Sequence, residues 1–149
     1  MIICDTREKK NQHILNYFNR KGIPYKIETL HTADYMDDSN PSIVIDRKQN
    51  LDEIATNLCT KDDGRFWREI RRSMQEKVKL IVLCEHGGFI KNLDDIPFWR
   101  SRYSRITGSL LQKKILQVHI SYGVEFFFCS KSETGQRIVE ILTNDFRQD

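Results

Sequence analysis

What the sequence lacks narrows its class before any motif is considered. Nowhere do about 18 apolar residues run together, so no segment reads as a transmembrane helix. The first residues, Met1-Ile2-Ile3-Cys4-Asp5, have neither a basic n-region nor a long apolar segment, which argues against a signal peptide. The four cysteines, Cys4, Cys59, Cys84 and Cys129, are widely spaced and form no Cys-x-x-Cys pair. Three of them sit in or beside apolar, strand-like runs, so they read as small core hydrophobes of a reducing compartment rather than zinc ligands. Net charge is only +3, too small by itself to argue for a nucleic-acid partner. His13, His31, His86 and His119 lack nucleophile spacing and read as surface or hydrogen-bonded structural residues; His31 alone lies close in sequence to a candidate acid, Asp34. Gly87-Gly88 has no lysine after it and reads as a turn, not a phosphate loop. There is no internal repeat, low-complexity tract or linker. The expectation is a soluble, unexported protein of the cytoplasm, or of the nucleus in a eukaryote, with no membrane partner.

At 149 residues the chain is one domain by the usual prior, long enough for a single substantial core. Ile2 to Asp5 reads as a short buried strand. A helix over Gln12 to Lys21 carries Ile14, Leu15 and Phe18 at helical spacing until Gly22 stops it. Pro24 to Thr29 is a second strand. Met36-Asp37-Asp38-Ser39-Asn40-Pro41 is turn-rich and should join two antiparallel strands, the first ending near Asp34-Tyr35 and the second carrying Ile43-Val44-Ile45. A helix starting near Asp52 puts Leu51, Ile54, Ala55 and Leu58 on one side, and another follows Gly64 to about Glu76. Val78 to Cys84 is an apolar strand, Ile106 to Ser121 a helix, Val124 to Cys129 a strand, and Glu133 to Phe146 a closing helix. Continuous apolar strands alternating with helices indicate an α/β fold with a sheet covered on both faces.

The chemistry centres on Asp46-Arg47-Lys48. Residues i and i+2 of a strand share a face, so a carboxylate and an ammonium are presented together. A phosphodiester hydrolase needs that pair: the carboxylate holds a divalent cation, and the lysine orients water or offsets charge developing on the phosphorane. Alone the signal is weak, since roughly one acid-x-Lys tripeptide arises by composition in a chain of this length, and Glu8-Lys9-Lys10 is another. Context lifts the Asp46 instance, because an apolar strand delivers it at its end. With a hairpin centred near Asn40, Asp34 falls opposite Asp46. Opposed residues have Cβ atoms about 5 Å apart, close enough for two carboxylates to share one cation with oxygens at about 2.1 Å. Magnesium is the natural candidate. Spacing alone equally suits solvated acids flanking a turn, and Asp5 at a strand end suits a helix cap as well as a metal contact.

Four fragments recur in one order: Cys4-Asp5-Thr6-Arg7-Glu8, Ala33-Asp34-Tyr35, Asp46-Arg47-Lys48-Gln49-Asn50-Leu51-Asp52, and Gly64-Arg65-Phe66. This sequence resembles the nuclease domain of the XPF-type structure-specific endonucleases, whose pattern pairs an early Asp-x-Arg-Glu with Gly-Asp-Tyr and Glu-Arg-Lys-x-x-x-Asp. The resemblance covers most of the chain. It implies a single-domain, restriction-endonuclease-like fold, a mixed central sheet flanked by helices. It further implies magnesium-dependent hydrolysis of phosphodiesters, with manganese as a substitute, in branched DNA such as flaps, forks and junctions. Asp34 and Asp46 are the expected principal metal ligands, with Asp5 and Glu8 contributing directly or through water. Lys48 would position the nucleophile or stabilise the transition state, and Arg47, on the opposite face, would organise acids or contact phosphate. Arg7 and Asp52 are supporting members of the motif. Two departures stand out: the family's glycine is Ala33 and its glutamate is Asp46, which moves the carboxylate back by about one methylene.

Arg65, Arg68 and Arg72 fall at i, i+3 and i+7 of one helix with Arg71 beside them, opposite Trp67, Ile70 and Met74. Either the arginines are simply solvated, or they hold phosphates and so position a duplex without reading its sequence. Pro97-Phe98-Trp99-Arg100-Ser101-Arg102-Tyr103-Ser104-Arg105 is a second basic stretch. Its rings either anchor a helix start in the core or stack on unpaired bases, and Arg100, Arg102 and Arg105 stay available in both cases. The alternative to an enzyme is a non-catalytic DNA-binding or scaffolding subunit, a class the same family contains. Such subunits typically lose acids or the lysine, whereas Asp5, Glu8, Asp34, Asp46, Lys48 and Asp52 are all present. The family's usual helix-hairpin-helix module is missing from this sequence. The expectation is therefore a homodimer, paired through Ile106, Leu110, Leu111, Ile115, Val118, Ile138, Val139, Ile141, Leu142 and Phe146, or a separate DNA-binding partner, the alternative for these apolar residues being that both helices simply cover the sheet.

Overall fold

The apolar runs become the middle of one six-stranded sheet in the computed structural model, which describes residues 1–60 and 63–143. In chain order the elements are β1 (Ile2–Asp5), α1 (Gln12–Lys21), β2 (Tyr25–Glu28), β3 (Tyr35–Asp37), β4 (Asn40–Lys48), α2 (Leu51–Cys59), α3 (Arg65–Gln75), β5 (Lys79–Cys84), α4 (Gly108–Tyr122), β6 (Glu125–Phe128) and α5 (Thr134–Thr143). Short 3₁₀ turns at Leu93–Phe98 and Lys131–Glu133 precede α4 and α5. The strand order is β2-β1-β3-β4-β5-β6, and β3 alone runs against its neighbours. This is the expected single-domain α/β fold with a mixed sheet between helices. The parallel strands β1, β4 and β5 therefore end at one edge, the edge where open α/β sheets hold their ligands.

Both faces are covered. Val44, Leu80, Val82 and Cys84 meet Leu51, Ile54 and Leu58 of α2, Phe66 and Ile70 of α3, and Leu111, Ile115 and Val118 of α4. On the other face Ile43, Ile45, Ile81 and Leu83 meet Ile14 and Phe18 of α1 and Ile138, Ile141 and Leu142 of α5. Most of the apolar surface expected to pair two subunits is thus spent inside one molecule. Leu110, Leu116 and Ile120 are the α4 apolar residues left in solvent, and Phe146 lies outside the described residues. No helix among the described residues is long and apolar enough to cross a membrane. All four cysteines are free, and Cys4, Cys84 and Cys129 are buried as expected of small core hydrophobes.

Local rules place the boundaries. Gly22, at φ 68°, closes α1 through backbone bonds to Asn19 and Phe18. The Asn50 side chain caps α2 by accepting from Glu53 N at 2.8 Å. Three expectations shift. The first hairpin strand begins beside Asp34 instead of ending there and runs on to Asp37, with a bulge at Met36/Asp37. The buried stripe of α3 is Phe66, Ile70 and Ser73, while Trp67 is half-buried and Met74 is exposed, because the helix turns Phe66 under Lys48. The 3₁₀ turn at Leu93–Phe98 had no periodic signal, since three-residue pitch over six residues leaves none.

Gly108 shows how tightly α4 abuts that turn. A Cβ there would lie 2.0 Å from the Ile96 carbonyl oxygen and 2.5 Å from that of Trp99, both backbone atoms that cannot swing aside. Gly108→Ala should therefore lower unfolding stability by about 1–3 kcal/mol, the range for overpacking. A urea melt with unchanged m-value reads it, and wild-type stability would refute the close approach.

Candidate active site

The β3–β4 register builds the site. Tyr35 pairs with Ile45 and Met36 with Val44, which puts Asp34 across from Asp46 just beyond the last ladder pair. The Asp34 amide donates to Ile45 O at 2.9 Å, and its carboxylate accepts from Arg47 N at 2.8 Å. Asp46 and Lys48 share the α2/α3 face of β4, as alternation requires. They line a cleft of about 310 Å³ with Arg7, Glu8, Asp34, Glu53, Asn57, Arg65, Phe66 and Glu69. A roomier opening of about 610 Å³ beside β6 includes one acid, Glu133, so the carboxylates and not the volume pick out the site.

Lys48 is gripped from three sides. Its Nζ donates to Asn57 Oδ1 at 2.7 Å, lies 3.4 Å from Asp46 Oδ2, and sits 4.1 Å from the Phe66 ring centroid. Burial works against its charge, but Asp46, Glu53, Glu69 and Asp34 outweigh that and raise its pKa above the usual lysine value. It remains an ammonium.

The acids crowd one another. Burial first, then the Asp46 and Glu8 charges, raise Asp34 well above the usual carboxylate range. Glu69, from α3, is pushed up to about 9 by burial and by Asp46, with which it shares a hydrogen bond; Lys48 and the Ala33 amide oppose this. Its Oε1 is buried without a hydrogen-bond partner. Among the described residues no three His, Cys, Asp or Glu side chains are gathered into a ready-made metal site. Asp46 crowds both neighbours, its charge adding to burial in raising Asp34 and Glu69 alike. Carboxylate oxygens, one of them left without a partner on Glu69, are the donor type that hard divalent cations take.

Arg47 points to the other face and is buried. Its guanidinium holds Glu8 at 2.8 and 3.1 Å, donates to Lys9 O at 2.6 Å, and pairs with Glu85. Glu8 also accepts from Tyr35 Oη at 2.6 Å, and Glu85 accepts from Thr134 at 2.5 Å and meets His13 at 2.9 Å. Asp5 lies across from Asp34, its amide donating to Asp34 O at 2.8 Å, but it does not line the cleft. Arg7 Nε and Nη2 clasp its carboxylate at 2.9 and 3.1 Å, with Leu30 N at 2.8 Å. Burial pushes its pKa up, but those bonds prevail and hold it below the usual aspartate value. With both oxygens engaged, the Asp5 carboxylate braces the Arg7 and Leu30 backbone beside the site. Asp52 points away as well, accepting from Ser101 Oγ at 2.6 Å.

The arginine stripe adjoins the acids. Arg7, Arg65, Arg68, Arg72, His31, Ala33 and Glu69 line a groove that shares Arg7, Arg65 and Glu69 with the cleft. Arg68 and Arg72 donate to the carbonyls of Asp63 and His31, and Arg71 is exposed on the same helix. Arg100, Arg102 and Arg105 lie elsewhere, on an exposed segment beyond α2.

The ERCC4 domain matches residues 4–142, nearly the whole chain. The chain belongs to the ERCC4 domain family. The fold of this ERCC4 domain is that of XPF from Aeropyrum pernix, at TM-score 0.71 and 18% identity over 99% of this chain and 65% of that one. A complex of the same XPF with DNA matches at TM-score 0.71 and 18% identity, over 95% of this chain and 62% of that one. No curated protein matches the sequence.

Sequence reasoning missed Glu53, Asn57, Glu69 and Glu85 in this ERCC4 domain. Glu69 sat inside the arginine stripe at Arg68-Glu69-Ile70, and its position on the inner side of α3 was the available signal. Glu85 follows the β5 run directly, a buried-strand acid at the same sheet edge as Asp46.

Two outcomes follow. Arg47→Ala strands Glu8 and Glu85 as unpaired buried charges and should cost about 3–5 kcal/mol in a urea melt; a loss under 1 kcal/mol would show that the node is not structural. For Glu69 the folded pKa of about 9 exceeds its unfolded value of 4.5. The folded state then holds the extra proton, so metal-free stability is full below 4.5 and falls as pH rises through about 9. Glu69→Gln should flatten that fall in melting temperature between pH 5 and 9.5 in EDTA, and a slope equal to wild type would contradict the crowding.

Proposed function

We propose that this ERCC4 domain is a metal-dependent DNA endonuclease that hydrolyses phosphodiester bonds in branched DNA, with magnesium as cofactor and manganese as a substitute. The observation that carries the reading is the meeting of Asp34, Asp46 and Glu69 with a clamped Lys48 in a cleft walled by arginines. Asp34 and Asp46 would hold the cation, with Glu69 opposite them. When bound, the cation supplies Lewis-acid polarisation of the phosphate and a more acidic water. The rest falls to the protein. Lys48 presents a fixed positive charge to the oxygens on which negative charge develops, and its three contacts leave little reorganisation to be done as the reaction proceeds. Arg7 and Arg65 reach phosphates flanking the scissile bond, and Arg68 and Arg72 extend the same track along α3. Arg47 acts at one remove, by holding Glu8 and the β4 end in place.

The acids and lysine that a scaffolding subunit would have lost are present and assembled, which favours the enzyme. Labelled flaps, forks, junctions and plain duplex, incubated with magnesium, manganese or EDTA, test substrate and cofactor together. Asp34→Ala, Asp46→Ala and Lys48→Ala should each lower single-turnover cleavage at least about 100-fold, the scale of losing an electrostatic catalytic group. Binding measured in EDTA should largely persist. Near-normal cleavage by Asp46→Ala would sink the assignment.

A further inference from the structure

One basic and aromatic segment has no part in that chemistry. From Ile96 to Val124 the chain has no acidic residue, but it carries Arg100, Arg102, Arg105, Lys113 and Lys114. Within this stretch Trp99 is buried, settling one of its rings into the core, whereas Phe98 and Tyr103 are 80% and 85% exposed. Soluble proteins seldom leave two large rings this open side by side with cations unless something covers them.

The segment is also stapled. Arg100 and Thr107 pair as an antiparallel bridge that closes its ends. Ser101 Oγ accepts from the amides of Tyr103 and Ser104 at 3.0 and 3.1 Å while donating to Asp52. Asp52 belongs to α2, whose neighbouring Glu53 and Asn57 line the catalytic cleft. The rings and arginines are therefore fixed to the same helix, α2, that lines the cleft.

We propose that segment 98–105 is a binding surface for unpaired DNA bases, on which Phe98 and Tyr103 stack bases while Arg100, Arg102 and Arg105 hold the phosphates, and that Asp52 anchors it through Ser101. The inference rests on the reading of the cleft as a site for DNA. Charge selects the ligand: an unbroken positive stretch suits a polyanion, and exposed π-faces suit bases that have left the duplex, since paired bases cannot reach a ring on a surface loop. It also gives the last acid of the Asp46-to-Asp52 motif a positioning role away from the metal.

Fluorescence anisotropy in EDTA tests this, using a forked oligonucleotide with a single-stranded arm and a blunt duplex of matching sequence. Phe98→Ala/Tyr103→Ala should weaken fork binding at least about 5-fold, the low end for losing a stacked base, and leave the blunt duplex unchanged. Tyr103→Trp should retain affinity. Replacing the three arginines by glutamine should weaken both DNAs and flatten the salt dependence. Asp52→Ala and Ser101→Ala should each reproduce part of the fork-specific loss, and together cost no more than either alone. Both rings are exposed, so an unchanged melting temperature is expected and rules out misfolding. Wild-type fork binding by the double ring variant would overturn the proposal and leave the rings to a protein partner. Wild-type protein that binds the fork but never cleaves it would sink the nuclease reading while leaving this surface standing.

Discussion

Buried Arg47 ties together the strand ends on which the site is built. From the end of β4 it reaches Glu8 and Lys9 after β1 and Glu85 after β5, and through these it engages Tyr35 of β3, His13 of α1 and Thr134 of α5. A guanidinium suits this place because its planar fork satisfies several acceptors at once and cannot be neutralised by deprotonation. Burial disfavours its charge, but Glu8 and Glu85 more than offset this. The strand ends that present Asp34, Asp46 and Lys48 are thereby locked together from beneath.

The alternation of β4 separates two tasks. Its odd-face residue, Arg47, closes a fully paired polar network, whereas Asp46 and Lys48, on the even face, enter a cleft where the charges are not balanced. Burial and the Asp46 charge raise Asp34 and Glu69 together, which marks the crowding of acids there. A site built this way is less stable than it would be with amides, and it gains a strong preference for anything that brings positive charge. The backbone bears a similar cost nearby. Ala33 adopts φ 69°, where a glycine would be unstrained, and its amide serves Glu69.

α2 gives the two acids of its first turn different partners. Asp52 faces the stapled 98–105 segment, and Glu53 faces Lys48 at 4.0 Å. One short, well-capped helix therefore sets the distance between the cleft and the exposed rings, and any shift of α2 would move both together.

Much of this was legible in one dimension. Period-two alternation put Asp46 and Lys48 on one face and Arg47 on the other, because strand geometry converts spacing into direction; Asp34 does fall opposite Asp46, but through a turn at Asp38-Ser39 and a bulge at Met36/Asp37 instead of a turn centred on Asn40. The continuous apolar runs declared a doubly covered sheet, and four ordered fragments declared the family. Other features were decided by tertiary structure. Asp52 stood in the motif beside Asp46, yet Ser101, met only through folding, engages its carboxylate outside the cleft. Glu69 and Asn57 joined the site from helices whose rotation depends on packing beneath Phe66 and Leu58. Whether the rings at Phe98, Trp99 and Tyr103 faced the core or solvent likewise depended on how the Leu93–Phe98 turn met Gly108. Sequence periodicity determines which way a side chain leaves its own element; which groups meet there depends on contacts between distant parts of the chain, and those exist only once the core has packed.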